Sequence, residues 1–533
     1  MRNIKVSISV GMSETEEPVT ENGSVERMDD GTFKLVLDRR AEFNIDRLES
    51  ALLHTGYPAL RAALSEHLEQ ASKKKAGQEF ELAGAGSGIE EHPSLYQVDG
   101  EVGRFTFKTY DVKSEDNKPL FEGIGMFPKR QGRQWYPTCG FNEIALSYGA
   151  AQRSYRQTVT VFNRSRHQEV GGTPLNPRRD SAQVEGLKVL DFLTRKSQGV
   201  FKEHGFDPHG MPAAECPVIE QMPAPSYLEQ EALPPALDTV GEAMGKKGFA
   251  AADIDKVQEA VRAKQAYEQA ERCVYIHLDD VGVKAQKQHR DKKGVAKPAV
   301  SDQKDTTKDK RPTVQNTVAR IEHVGKGFTL TGRSVAEIVA FVLGFLLSNV
   351  LLGLNITVCT EGQRSRQDRI LSFFSWHPHL TLLLDWFHVV KKFKEDLSLA
   401  CKGREIRNCH LKQLLTLLWF GLIDKAQAYL AAIPATDIKD GKAIARLSAY
   451  LERNRKWMPC YAMRSQLELP NSSNPAERCN NQVTAKRQKH HGMSWSKNGS
   501  QALTSLSAVT INNATRKWVE NRTIPFTWVA KVA

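Results

Sequence analysis

CVYIHLDDVGV, residues Cys273 to Val283, is a β-type run ending in two adjacent acids, Asp279 and Asp280. Its β-branched and aromatic content predicts a buried strand. Downstream, Thr313 to Leu330 (TVQNTVARIEHVGKGFTL) alternates and predicts two more strands. Val335 to Leu354 predicts a buried helix, and Ile356 to Cys359 a fourth strand that ends at Glu361–Gly362. Gln367–Phe374 reads as a helix, and His379 to Leu384 (HLTLLL) as a fifth strand ending at Asp385. From Trp386 to Arg455 the apolar period is helical, and Asn474 opens a late helix that carries Glu477.

Alternation of strands and helices alone specifies an α/β protein. The order of three strands, helix, strand, helix, strand and terminal helix is that of an RNase H-like core, here with an all-helical insertion between Asp385 and Glu477. The acids fall where such a core would use them: Asp279 and Asp280 end the first strand, Glu361 the fourth, and Glu477 opens the late helix. Adjacent strands that end side by side bring such carboxylates together. Clustered carboxylates repel one another, and hard Mg2+ is the usual compensation. Two such ions can activate water or a 3′-hydroxyl and stabilise the leaving oxygen at phosphorus. The plainer alternatives are that Asp279 is a strand-end turn residue, Glu477 a helix-capping partner behind Pro475, and His388 a satisfied helix-face histidine.

Four blocks in this order, YIHLDDVGVK, TVCTEGQRSRQDRI, LLLDWFHVVKK and NPAERCNNQVTAKRQKHHGMSWS, resemble bacterial insertion-sequence transposases with a Mutator-like DDE core. The resemblance spans roughly Arg272 to Trp518 and implies metal-dependent strand cleavage at element ends, followed by strand transfer into target DNA. It implies Asp279, Glu361 and Glu477 as catalytic and metal-binding residues, with Asp280 and Asp385 as substitutes. Two Mg2+ ions are the implied cofactor. The implied partners are double-stranded DNA, as terminal repeats and target, and further copies of the chain. The family usually carries Asp-Gly where Glu361–Gly362 stands, and the extra methylene would shift the carboxylate oxygens. The competing expectation is therefore a transposase-derived DNA-binding protein with weakened or no catalysis. Asp385–Trp386–Phe387–His388 stands where Mutator-like enzymes carry Cys-x-x-His.

Lys and Arg number 74 against 62 Asp and Glu, giving a net charge of +12 over 533 residues. That excess fits a polyanion binder, since each neutralised phosphate releases counterions. Asn142 to His167 reads as two helices parted near Ala150–Ser154, with arginines interleaved among tyrosines, compatible with a helix-turn-helix. Arg153 and Arg156 there, and Lys486, Arg487 and Lys489 near the terminal acid, are the candidate DNA contacts; a solvated basic face is the plainer reading. Trp495 reads as core rather than a base-stacking platform. Lys284 to Arg311 is a basic loop that could track a phosphate backbone.

The expected organisation is an α+β region over 1–138, a helical DNA-binding region over 139–210, a proline-rich linker over 211–240, core over 241–400, helical insertion over 401–470, and core again over 471–533. The eight cysteines show no Cys-x-x-Cys pair and suit reduced thiols in a cytoplasmic protein; Cys401, Cys409 and His410 are the one weak metal candidate. Met1 to Val10 lacks the apolar stretch of a signal peptide. The apolar stretch from Val335 is interrupted by Glu337, Ser348 and Asn349, which argues against a membrane span.

Overall fold

In the computed structural model the described residues are 8–12, 24–29, 33–37, 45–84, 86–128, 136–151, 154–168, 172, 175–220, 222, 233–262, 267, 270–286, 312–490 and 493–530. The fold is mixed α/β and divides into two compact units. One comprises Met1–Ala182 with Thr515–Arg522, the other Gln183–Ala514 with Thr523–Ala533. Arg153, most of the basic loop and the centre of the proline-rich stretch lie outside the described residues.

The second unit is built on a sheet of β1 (Cys273–Lys284), β2 (Thr313–His323), β3 (Lys326–Gly332), β4 (Asn355–Thr360), β5 (Leu380–Leu384) and β6 (Val529–Ala530). Their order across the sheet is β5-β4-β1-β2-β3-β6. β1, β2 and β3 form an antiparallel meander, whereas β4 runs parallel to β1 and β5 parallel to β4. The register sets His277 beside Cys359 and Thr360 beside Leu384. β4 and β5 therefore end together at one edge, where sheets of parallel strands hold their ligands. β1 instead runs on to Lys284 in pairing with β2, so Asp279 and Asp280 lie within the strand and not, as expected, at its end.

Helices cover both faces, as near-continuous burial of β1 requires. On one face lies α4 (Val335–Ser348), capped by Ser334 and stacking Phe345 on Phe328 at 4.6 Å. It spans 14 residues and stops at Asn349, before the expected Gly353 turn, and Val350 follows with φ +54°. Among the described residues no helix is long and apolar enough to cross a membrane. On the other face lie α11 (Asn474–Asn480) and α12 (Lys497–Ile511), where Cys479 and Ala508 pack with Val483 on Val318. α1 (Leu175–Glu203) crosses α12 so closely that a Cβ on Gly186 would fall 2.1 Å from the Ala502 carbonyl oxygen.

The insertion is helical throughout its described elements. α6 (Trp386–Ala400), α7 (Arg404–Trp419), α8 (Ile423–Ala431) and α9 (Gly441–Asn454) share a core that includes Phe393, Leu414, Leu430 and Leu447. α10 (Tyr461–Gln466) follows and packs with α2 (Leu233–Gly245) and α3 (Ala251–Arg262) around Met244, Val257 and Met463. α2 begins inside the stretch read as linker, because Pro234 and Pro235 sit in its first turn, where their missing N–H groups cost nothing. α5 (Arg364–Phe373) joins β4 to β5.

In the first unit, strands Ile8–Met12, Ser24–Arg27 and Phe33–Leu37 form a small sheet that no sequence period announced. A helix over Ile45–Ala83 and the hairpin Tyr96–Gly100 with Gly103–Phe107 give this region the α+β character expected of residues 1–138. Helices Cys139–Ala151 and Tyr155–Ser165 form the expected pair, joined edge-to-face by Phe141 and Phe162 at 4.8 Å. Ser154 caps the second by accepting from the Gln157 N–H.

Candidate active site

Consecutive side chains of a strand point to opposite faces, so Asp279 and Asp280 cannot serve the same neighbours. Asp279 pairs with Val318, which packs on α11. Asp279 accordingly faces α11: its Oδ2 accepts from the Asn480 amide and its Oδ1 from the Asp280 N–H at 2.8 Å. Asp280 turns the other way and accepts from the Arg366 guanidinium of α5 at 2.5 Å. Of the two, Asp279 stands with Glu361, whose carboxylate lies beside it.

Glu361 follows β4 directly. Gly362 behind it has φ +84°, and a Cβ there would sit 2.9 Å from the Leu384 side chain, so glycine is required to turn the chain at this edge. Glu361 Oε1 accepts from Arg366 Nη1 at 3.5 Å and lies 4.0 Å from His388 Nε2. The Glu477 Oε1 lies 4.0 Å from the same nitrogen. His388 thus joins the acid after β4 to the acid on α11. The longer side chain of Glu361 is what reaches both Arg366 and His388.

The electrostatics follow from that crowding. Burial, and then the neighbouring Glu361, push the Asp279 carboxyl up to about 7, against the pull of its two hydrogen bonds. Partial burial raises Glu477, with Asp279 and Asp385 adding to the rise and His388 opposing it. Burial alone would lower His388, but Asp385, Glu361 and Glu477 outweigh it and hold the imidazole above its usual range. These acids repel one another, and the two cations, Arg366 and His388, only partly offset the repulsion.

Asp385 has a different place from the one its sequence position suggested. It is buried; Oδ1 caps α6 by accepting from the His388 N–H at 3.1 Å, and Oδ2 accepts from both the N–H and the hydroxyl of Ser473. His388 Nδ1 lies 3.4 Å from the same Oδ2. Burial would raise this carboxyl, yet those bonds outweigh it and hold it below the usual range. Both oxygens accept hydrogen bonds, and through them Asp385 fixes His388 and the start of α11. Ser473 precedes α11 and makes no side-chain cap, and its N–H is donated to Asp385, which leaves Glu477 without the capping role.

Beyond Asn480, α11 passes into a single π-helical stretch, Asn481–Ala485, of the kind often found at functional sites. Lys486 and Lys489 on its far side are exposed, whereas Arg487 is buried over the Trp495 ring, 5.3 Å from its centroid, so it is not a surface contact for phosphate. The Trp495 Nε1 donates to the Gln488 carbonyl at 3.2 Å, in keeping with a core role. In the first unit Arg156 is exposed on the helix that Ser154 caps.

The weak candidate of Cys401, Cys409 and His410 does not assemble. His410 is committed to the Tyr429 hydroxyl at 2.9 Å and to Asp437 at 3.1 Å, and all eight cysteines are free. Among the described residues, no three His, Cys, Asp or Glu side chains stand close enough together to hold a metal ion as they are. The chemistry of Asp279 on β1, Glu361 after β4 and Glu477 on α11 nevertheless fits a hard cation: all three are oxygen donors, and burial drives the Asp279 and Glu477 carboxyls up when uncompensated. Compared with known proteins, the chain matches no family model and no curated protein.

Sequence reasoning named the three acids but missed Arg366, Asn480 and Ser473. Arg366 sits among Arg364 and Arg369 in an unremarkable helix, and nothing in RSRQDR marks the middle arginine as the buried one.

Proposed function

We propose that this chain is a DNA transposase of the DDE type, a polynucleotidyl transferase with an RNase H-like core that cleaves element ends and joins them to target DNA. The observation that carries this reading is that acids distant in sequence come together: Asp279 of β1 lies beside Glu361 at the end of β4, and Glu361 and Glu477 of α11 face the same nitrogen of His388. The meander flanked by two parallel strands supports the RNase H-like core.

Mg2+ would be held by Asp279, Glu361 and Glu477, and when bound supplies an activated water or 3′-hydroxyl and charge stabilisation at phosphorus. The chain's own residues do the rest. Asn480 orients Asp279, Asp385 fixes the His388 ring and the start of α11, and His388 holds a proton between Glu361 and Glu477. Exposed Lys486, Lys489 and Arg156 are the proposed phosphate contacts, positioning DNA without reading its sequence. The proposed partners are terminal-repeat DNA, target DNA and further copies of the chain.

A DNA-binding derivative that no longer cleaves is the second reading, and it draws on Arg366, whose guanidinium partly neutralises Glu361 and Asp280. An excision assay on the DNA that flanks the gene separates the two. Loss of the element from a donor plasmid supports the first; retention alongside specific binding of the ends supports the second.

A further inference from the structure

Arg366 is 4% exposed, yet its guanidinium sits among the carboxylates of the site. It contacts Asp280 at 2.5 Å and Glu361 at 3.5 Å. A guanidinium does not give up its proton in a protein, so this is a permanent positive charge. Burying one is costly unless carboxylates accompany it, and these two do so incompletely: Arg366 Nε and Asp280 Oδ1 are both buried without a hydrogen-bond partner.

Two divalent ions sharing one site stand about 3.5–4 Å apart and need carboxylates on either side. Here the acids are divided. Asp280 and one oxygen of Glu361 face the guanidinium, and an ion brought between them would meet a fixed cation at contact distance. Asp279 and Glu477, which do not touch the guanidinium, are left for one octahedral ion that would draw them together and keep several waters.

Resting on the DDE reading above, we propose that Arg366 takes the place of one of the two metal ions, so that the centre holds a single divalent cation beside a built-in arginine. Arg366 is then a positioning residue: it holds Glu361 and Asp280 and supplies fixed positive potential without touching substrate. The glutamate at position 361 belongs to the same arrangement, because its length lets one carboxylate face both the guanidinium and the remaining acids.

The test is Mn2+ titration of the full chain followed by electron paramagnetic resonance, counting ions that disappear in Asp279→Asn. One ion per chain with the signal of an isolated Mn2+ is expected for the wild type. Arg366→Gln should raise the count from one to two, and Arg366→Lys should leave it at one. Two ions per chain in the wild type, or a spin-coupled pair, overturns the proposal, and this outcome stands even if Arg366→Gln does not fold. A folded Arg366→Gln that still binds one ion overturns it as well. No Asp279-dependent ion in the wild type removes the metal reading itself, and the proposal with it.

Discussion

Replacing Asp385 with asparagine separates a buried anchor from a metal ligand. The carboxylate is 1% exposed and receives three hydrogen bonds, from the His388 N–H and from the N–H and hydroxyl of Ser473. Asparagine offers one acceptor oxygen. If that oxygen serves Ser473, the amide NH2 faces the His388 N–H, donor against donor. Losing a hydrogen bond to a charged acceptor costs about 1.5–3 kcal/mol, and a buried unsatisfied donor costs about 1–3 kcal/mol more. A loss of about 3–5 kcal/mol is therefore expected, a large part of a typical folding free energy of about 5–15 kcal/mol. With urea slopes of about 1–3 kcal/mol per molar, the midpoint of the second unit should fall by about 1–2 M. Cleavage should fall as well, about a hundredfold for ~1 Å of displacement of Glu477 on α11. Because the Asp385 carboxyl lies below its unfolded value, its stabilisation is present above about pH 4 and is lost as the pH falls through its folded pKa. A ligand that merely binds metal gives the opposite pattern: lost cleavage with unchanged or improved stability. A urea midpoint equal to that of the wild type would refute the anchor.

Asp279→Asn should abolish cleavage while stabilising the metal-free protein at pH 7–8, read as a higher melting temperature in EDTA. The sign follows from a folded-state carboxyl pushed up to about 7: without metal the folded protein holds the extra proton, so stability declines as pH rises from about 4 to 7. Glu361→Asp should lower cleavage about tenfold or more rather than improve it, because the shorter side chain withdraws from Arg366 and His388; single-turnover cleavage rates decide, and a faster variant would contradict the geometry. Lys486→Ala and Lys489→Ala should each weaken DNA binding and reduce the salt slope by about 1. Arg487→Ala should instead lower the melting temperature, since that guanidinium is buried over Trp495.

The sheet was legible because its strands are apolar and rich in β-branched residues, and periodicity reports such patterns well. CVYIHLDDVGV, VQNTVARIEH and HLTLLL each became the strand they suggest. Glu361 was legible by position, directly after β4, whereas Asp279 and Asp280, read as ending β1, lie within a strand that continues to Lys284. Their division of labour was not legible. Which aspartate of the Asp279–Asp280 pair faces α11 depends on the register with β2, and a shift of one residue would exchange them. Asp385 looked like a ligand because it ends β5; only its pairing with Ser473, which sits far along the chain beyond the helical insertion, shows it to be an anchor. Burial likewise parts Arg487 from Lys486 and Lys489, three residues that sequence treats alike. The early strands escaped notice because five-residue runs such as ISVGM are too short to show a period.

The central claim is strand transfer, and in vitro joining tests it most directly. Purified full-length protein would be mixed with a labelled duplex ending in the element's terminal repeat with a free 3′-hydroxyl, together with a supercoiled target plasmid. With Mg2+ present, label should become covalently attached to the plasmid, and EDTA, Asp279→Asn or Glu477→Gln should each reduce joining to background. Specific binding of the terminal repeat without any joined product in Mg2+ or Mn2+ would contradict the claim and leave a DNA-binding protein with an inert carboxylate cluster.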